Sequence, residues 1–429
     1  MLVKLNPLTL ISNNLKPYRD LKGSNNMEST FESKQNSNLY KYNFENLYDA
    51  ASHVLQLLSE FIPINTFFVA INDNSTNYIL KVLNRHTTLL LEGSESPFNQ
   101  TYCSLVVKEK VNPVIINDIT KNPDTANMDI TKLSGMGSFI GIPITDKKGT
   151  VYGTVCAMDS NPFEFKREHS EVLVAFAGIL SYIVDLENAE KKISSDLVKA
   201  AKIQQSVLPP NFSDKNIEIE GVYYPAMHLS GDMYHWVQID ENRYGVLLID
   251  VMGHGVSASL ISMALRSLMT NLIKRVSDPV KVFRELNTHL FNLLPNKIIS
   301  FATGIYIVID TMENTIDYIS AGHPPCILHV DGQLLHLESS STALGLIESP
   351  TFTSQSITYI NEYQMLLYTD GLLELTKEQS IQENFDVLSS KLLNAKLSVF
   401  TWLEDLIQKN GNYPDDVSLV EIHTPRKLI

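Results

Sequence analysis

The stretch from Arg243 to Gly255, RYGVLLIDVMGHG, constrains this chain more than any other. An apolar run from Tyr244 to Ile249 ends on one carboxylate, Asp250, and then breaks into a glycine-rich turn carrying His254. A short run of buried β-formers followed by turn residues reads as an interior strand. A carboxylate at the exit of such a strand is expensive to desolvate without a partner. Arg266 is the sole Lys or Arg between Gly245 and Lys274, so the partner comes from elsewhere, and a divalent metal is the economical choice. The plainer alternative makes Asp250 a capping residue for a helix that begins near Ser257.

The chain's 429 residues allow two or three domains. A net charge of -14 argues against a nucleic-acid backbone as partner, whereas an acidic protein still binds phosphorylated substrates if cations are recruited locally. Cys103, Cys156 and Cys326 are too few and too scattered for a disulfide framework or a zinc site, which fits a reducing cytoplasm. No uninterrupted apolar run reaches the length of a membrane span, so none is expected. The patch from Leu8 to Ile11 lacks the length and cleavage site of a secretory signal.

Residues 1–39 are rich in Asn, Ser and Lys without a sustained period and read as a disordered leader, with Met27 an alternative start. From Tyr40 the pattern turns globular. Apolar residues at helical spacing (Leu47, Ala50, Ala51, Val54, Leu57, Leu58) predict a helix from Phe44 to Phe61. Strand-like runs follow at Thr66 to Ile71, Tyr78 to Leu83, Val114 to Ile116, Ser138 to Ile144 and Val151 to Met158. The last two flank Asp146-Lys147-Lys148-Gly149, a hairpin signal, and a second helix starts at Arg167.

The segments TYCSLVVKEKVNPVIINDITKNP and SFIGIPITDKKGTVYGTVCAMDSNPFEF resemble the GAF domain, a sensory module of one antiparallel sheet flanked by helices. The resemblance covers residues 40–185 and implies a pocket for a small molecule, or a module that only dimerises. Cys103 and Cys156 read as redox or chromophore-attachment sites, or more plainly as small buried apolar residues. A GAF photoreceptor is the remote version of that reading.

Helical pattern then runs on through a linker, residues 186–208. Ile179, Leu186, Ile193, Ala200 and Val207 recur every seven residues, with Ile183, Glu190, Leu197 and Gln204 at the other seam position. That heptad predicts a coiled coil joining two copies, with polar breaks at Glu190 and Gln204, or else one amphipathic helix packed on its own domain. Pro209-Pro210 ends it.

The third region, residues 209–424 before a tail over 425–429, shows strands in two groups with helices clustered between them. This predicts an α-β-β-α sandwich of two packed sheets, in a chain of the α/β (α+β) class. Carboxylates beside turn formers recur at strand ends: Asp232 in LSGDMYHW, Asp250, Asp370 in LLYTDGLLE, and Asp415 with Asp416 in YPDDVSLVEI. Converging carboxylates raise one another's pKa or hold cations. An all-oxygen set selects Mg²⁺ or Mn²⁺ over zinc.

The ordered string KAAKIQQSVLPP, SGDMYHW, GVLLIDVMGHGVSASLISMALRSLM, FATGIYIVID, ISAGHPPCIL, STALGLI, MLLYTDGLLE and DDVSLVEI resembles the metal-dependent protein phosphatase (PPM) family. Within it the string is similar to the stage II sporulation protein E phosphatase domain and the environmental-stress sigma-factor regulators. The resemblance implies that Asp250 bridges two metals and that the Val251 carbonyl ligates one. It implies that Asp370 and Asp415 complete the other shell, that Asp232 acts through water, and that Asp416 orients Asp415. It also implies a dimetal-bound hydroxide attacking a phosphoserine or phosphothreonine on a regulatory protein, of the anti-sigma-factor antagonist type. The family's Gly-Gly-Asp-Phe-Tyr-Asp is here Ser230-Gly231-Asp232-Met233-Tyr234-His235, and Met252 stands where a small residue is usual. His254 and His235 are candidate contacts to substrate or phosphate, while His323 in AGHPP reads as a structural turn residue. The expectation is a cytoplasmic, GAF-regulated serine/threonine phosphatase. The rival is a catalytically silent module that uses the same surface to bind a partner.

Overall fold

A computed structural model describes residues 46–425 except 74, 136, 294–299, 377–379, 394–398 and 411–413. The expected leader and all but the first residue of the expected tail lie outside them. The chain divides into two units, Met1–Ile183 and Val184–Ile429.

In the first unit, helix α1 (Leu47–Phe61) starts where the Asn46 side chain accepts a hydrogen bond from the Asp49 amide, a side-chain N-cap. It buries Leu47, Ala50, Ala51, Val54, Leu55 and Leu58, so Leu55 takes the place expected of Leu57. Strands β1 (Thr66–Asn72), β2 (Thr76–Asn84), β3 (Glu95–Pro97), β4 (Val114–Ile116), β5 (Ser138–Thr145) and β6 (Val151–Asp159) form one sheet in the order β3-β2-β1-β6-β5-β4. All its pairings are antiparallel. The β5–β6 hairpin turns where Asp146 accepts from the Lys148 and Thr150 amides, and Gly149 supplies the left-handed φ of 79°. Two short helices, α2 (Cys103–Glu109) and α3 (Asp129–Ser134), were not legible in the sequence. Helix α2 packs Cys103 and Val106 into a core with Phe68, Ile116, Phe139 and Cys156. The two cysteines are buried and free, and burial pushes the Cys156 thiol well up.

Helix α4 (Arg167–Ser206) follows. The second unit then alternates β7 (Phe212–Ser213), β8 (Glu218–Tyr224), β9 (Met233–Gln238) and β10 (Arg243–Val251) before helices α5 (Val256–Val276) and α6 (Pro279–Leu293). Strands β11 (Ala302–Asp310), β12 (Thr315–Ala321), β13 (Cys326–Val330), β14 (Gln333–Leu337), β15 (Gln355–Thr358) and β16 (Tyr363–Tyr368) come next. Helices α7 (Asp370–Thr376), α8 (Ile381–Leu393) and α9 (Val399–Asn410) lead into the last strand, β17 (Val417–His423).

The strands make two antiparallel sheets, β15-β12-β11-β10-β9 and β14-β13-β16-β17-β8-β7. Side chains alternate across a strand, and the alternation assigns the layers. Tyr244, Val246 and Leu248 of β10 share a core with Met365, Leu367, Val420 and Ile422 of the other sheet. Leu247, Ile249 and Val251 pack instead with Leu265, Met269 and Phe283 of α5 and α6. Leu366, Tyr368 and Leu419 pack against Leu388 and Leu403 of α8 and α9. The result is helices, two sheets, and helices, and β10 is apolar from Tyr244 to Ile249 because both of its faces are covered.

Helices α4 and α5 each contain a window long and apolar enough to cross a membrane by length and composition. Neither window is an unbroken apolar run, since polar and charged residues interrupt both. Such windows are weak evidence, since α5 is a core helix that buries Leu265, Met269, Leu272 and Ile273.

Candidate active site

Strand β10 delivers Asp250 one residue before its end, cross-strand from Thr303. The chain then turns through Gly253 and Gly255, at φ of 83° and 80°, and α5 begins at Val256. Its N-cap is Gly255 and no side chain caps it, so Asp250 is not the capping residue of the plainer reading. The same end of the sandwich receives three other segments: the Ser230–Asp232 loop before β9, the Thr369–Asp370 step after β16, and Asp415-Asp416 before β17.

Two glycines let these segments meet. A Cβ on Gly371 would lie 2.1 Å from the Asp416 carbonyl oxygen, and one on Gly231 would lie 2.6 Å from that of Val251. Thr369 Oγ1 donates to Asp232 Oδ2 at 2.8 Å and accepts from the Ser418 amide at 2.9 Å. Asp416 accepts the Ala226 amide on Oδ1 and the Gly231 amide on Oδ2, both at 2.7 Å. Its own amide donates to Asp415 Oδ1 at 2.8 Å. Asp416 therefore uses both oxygens to hold backbone.

The electrostatics follow from this crowding. Burial, then Asp370, Asp415 and Asp416, push the Asp250 carboxyl up to about 7. Burial, then Asp250, hold Asp232 well above the usual carboxylate range. Asp370 is raised by burial and by Asp415, and Asp416 chiefly by burial. Asp250 lies close enough to Asp232 and Asp370 for the three carboxylates to act on one another. Among the described residues no Lys, Arg or His forms an ion pair with any of these carboxylates. The structure thus gathers Asp232, Asp250, Asp370, Asp415 and Asp416, with the Val251 carbonyl facing Gly231. An uncompensated all-oxygen set of this kind fits hard divalent cations. As they stand, no three His, Cys, Asp or Glu side chains among the described residues are placed to hold a metal ion together.

The histidines divide. His254 is exposed beside the cluster, with Nδ1 3.2 Å from Met227 Sδ. His235 goes elsewhere: it is buried against α5, with Nε2 3.0 Å from Thr270 Oγ1, and burial followed by Arg266 lowers it to about 3. A neutral, covered imidazole there cannot reach a phosphate at the carboxylates, which corrects its place among the substrate contacts. His323 is buried, with Nδ1 3.2 Å from Thr303 Oγ1. The sequence reading missed Thr369, which holds Asp232, and Glu374, one turn along α7, whose carboxyl is raised by burial, Asp415 and Asp370. It also missed the role of Gln204, although the polar break in the heptad marked that position. Gln204 is buried and its amide grips the Ser230 backbone.

Comparison with known proteins completes the description. The GAF domain family model matches residues 46–184, and that of Stage II sporulation protein E (SpoIIE) matches residues 240–425. The chain is 36% identical over 228 residues to phosphoserine phosphatase RsbP of Bacillus subtilis, covering 52% of this chain and 55% of that protein. It is 25% identical over 221 residues to phosphoserine phosphatase RsbU of the same organism, covering 51% of this chain and 65% of that protein. The chain therefore spans less than two thirds of the length of either relative. The solved SiaA-PP2C domain of Pseudomonas aeruginosa aligns over 54% of this chain and 97% of that domain, at 20% identity and a TM-score of 0.46.

Proposed function

From a chain that carries a GAF domain followed by a SpoIIE-type PPM phosphatase domain, we propose a phosphoprotein phosphatase acting on a phosphoserine or phosphothreonine. The two phosphoserine phosphatase relatives support phosphoserine as the target group, and the resemblance read in the sequence suggests that it sits on a regulatory protein of the anti-sigma-factor antagonist type. The observation that carries the proposal is the set of strand-end carboxylates that raise one another and, among the described residues, meet no basic partner.

In this mechanism Asp250, Asp370, Asp415 and the Val251 carbonyl would hold two Mn²⁺ or Mg²⁺ ions, with Asp232 acting through water. When bound, the ions supply the positive charge that neutralises the phosphoryl group and activates water for in-line attack. The protein's own part is orientation. Thr369 fixes the Asp232 carboxylate, Asp416 fixes the loop, and the glycine contacts set how closely the strand ends approach. Exposed His254 stands at the rim, where an imidazole donates to a phosphate or leaving oxygen. Phosphate release from a phosphoserine peptide by the full chain with Mn²⁺ tests the reading, and a metal-loaded chain with no release would defeat it.

The front half regulates in this proposal, through a small molecule in the GAF domain, and the protein works in the cytoplasm. Two copies pair along α4. Leu186 and Ile193 of its heptad seam are 51% and 62% exposed. Ile193, Leu197 and Ile203 line a groove of about 480 Å³ with Val256, Leu260 and Met263 of α5. Sedimentation of the full chain against a Leu186→Glu, Ile193→Glu variant tests the pairing.

A further inference from the structure

Gln204 occupies an odd position. It lies in the last turn of α4, on a helix whose neighbouring apolar residue Ile203 is 61% exposed, yet Gln204 itself is 2% exposed. Its Nε2 donates to the Ser230 carbonyl at 2.7 Å and its Oε1 accepts the Ser230 amide at 3.1 Å. A primary amide presents one donor and one acceptor side by side, which matches both backbone groups of a single residue at once. Ser230 is fully buried and lies in no strand or helix, so without Gln204 its amide would be unsatisfied and its carbonyl would keep the Ser262 hydroxyl at 3.4 Å. The contact continues into the site. Ser230 Oγ accepts the Asp232 amide at 3.0 Å, Gly231 donates to Asp416, and the Asp232 carboxylate is held by Thr369 within the cluster.

We infer that Gln204 is a positioning residue that couples the end of α4 to the Ser230–Asp232 loop, so that a shift of the helix moves a carboxylate of the cluster. The cation half of this inference rests on the phosphatase reading, and the loop half does not. Arg266 provides the control. Its guanidinium holds the Val207 carbonyl at 2.9 and 3.1 Å, anchoring the same helix end without touching the loop.

The test uses the full chain and two readouts other than activity: hydrogen exchange at the 230–232 amides, and calorimetric Mn²⁺ titration. Gln204→Met keeps the length of the side chain and removes both hydrogen bonds. It should speed exchange at these amides at least tenfold and weaken Mn²⁺ binding by about tenfold, the size typical of losing an outer partner of a metal ligand. Arg266→Met should leave both readouts within about twofold. If Gln204→Met does not fold, Gln204→Asn, one methylene short, should show the same pattern at smaller size. Unchanged readouts in the Gln204 variant, faster exchange with unchanged Mn²⁺ affinity, or equal losses in the Arg266 variant would each overturn the coupling. An unsubstituted chain that binds no Mn²⁺ would strike the phosphatase reading instead, and exchange alone would then decide the clamp.

Discussion

The two ends of β10 carry the same kind of residue in opposite circumstances. At the Arg243 end, Asp240 takes the guanidinium of Arg243 at 2.7 Å and the amides of Asn242 and Arg243. Arg243 leads the causes that hold its carboxyl below the usual range. At the Val251 end, Asp250 meets other carboxylates and is pushed up to about 7. One end is charge-paired and finished, while the other is charge-repelling and needs something from outside the chain. Acidity alone identifies neither; compensation does.

The comparison breaks most sharply under substitution at the two carboxylates. Asp250→Asn should lower Mn²⁺-dependent hydrolysis by roughly a thousandfold or more while the metal-free protein melts no lower, because a buried repelling charge is gone. Asp240→Asn should leave turnover within about twofold and cost less than about 1 kcal/mol, as exposed ion pairs do. Equal effects at both ends, read by turnover and thermal melts, would erase the distinction. Next in size is the convergence itself. Gly371→Ala forces a methyl against the Asp416 carbonyl, and a loss of about 1–3 kcal/mol in denaturant melts is expected, with hydrolysis falling further than stability.

The pH dependence sharpens the comparison more gently. The Asp250 carboxyl keeps its proton in the folded chain up to about 7, whereas the ordinary value is 3.8. Between those limits the folded state binds more protons than the unfolded one, so metal-free stability falls as pH rises through that window. Mn²⁺ at about 100 times its dissociation constant should restore roughly 2.7 kcal/mol above the window. Melts across pH with and without Mn²⁺ check both signs. The smallest effect on the monomer belongs to Leu186→Glu with Ile193→Glu, which should abolish pairing on sedimentation yet leave each folded unit intact, since both side chains are exposed.

Much of this was legible because a fully covered strand leaves a strong signature. The run from Arg243 to Val251 is a strand at the residues expected, and the two-sheet sandwich followed from the grouping of strands. The acidic strand ends were visible for a similar reason, since a charge at the edge of an apolar run stands out. Edge elements were harder. Strand β14 is largely exposed and pairs only with β13, so its residues carry little apolar pattern. The turn that builds it, Asp331-Gly332 with φ of 46° and 81°, was the overlooked signal. His235 was misread because sequence offers adjacency, and its neighbour Asp232 sits in a loop while His235 sits on the helix-facing side of β9. Gln204 was read as a flaw in a repeat because its real partner is 26 residues away.

The loop at Ser230–Asp232 has one last consequence. Its three successive amides are tethered by side chains from separate places in the chain, Gln204, Asp416 and Ser230 itself, and by no strand neighbour. Each tether is a single side chain, so the loop is set by three separate contacts. How firmly the loop sits is therefore graded rather than all-or-none, since loosening one amide leaves the other two held.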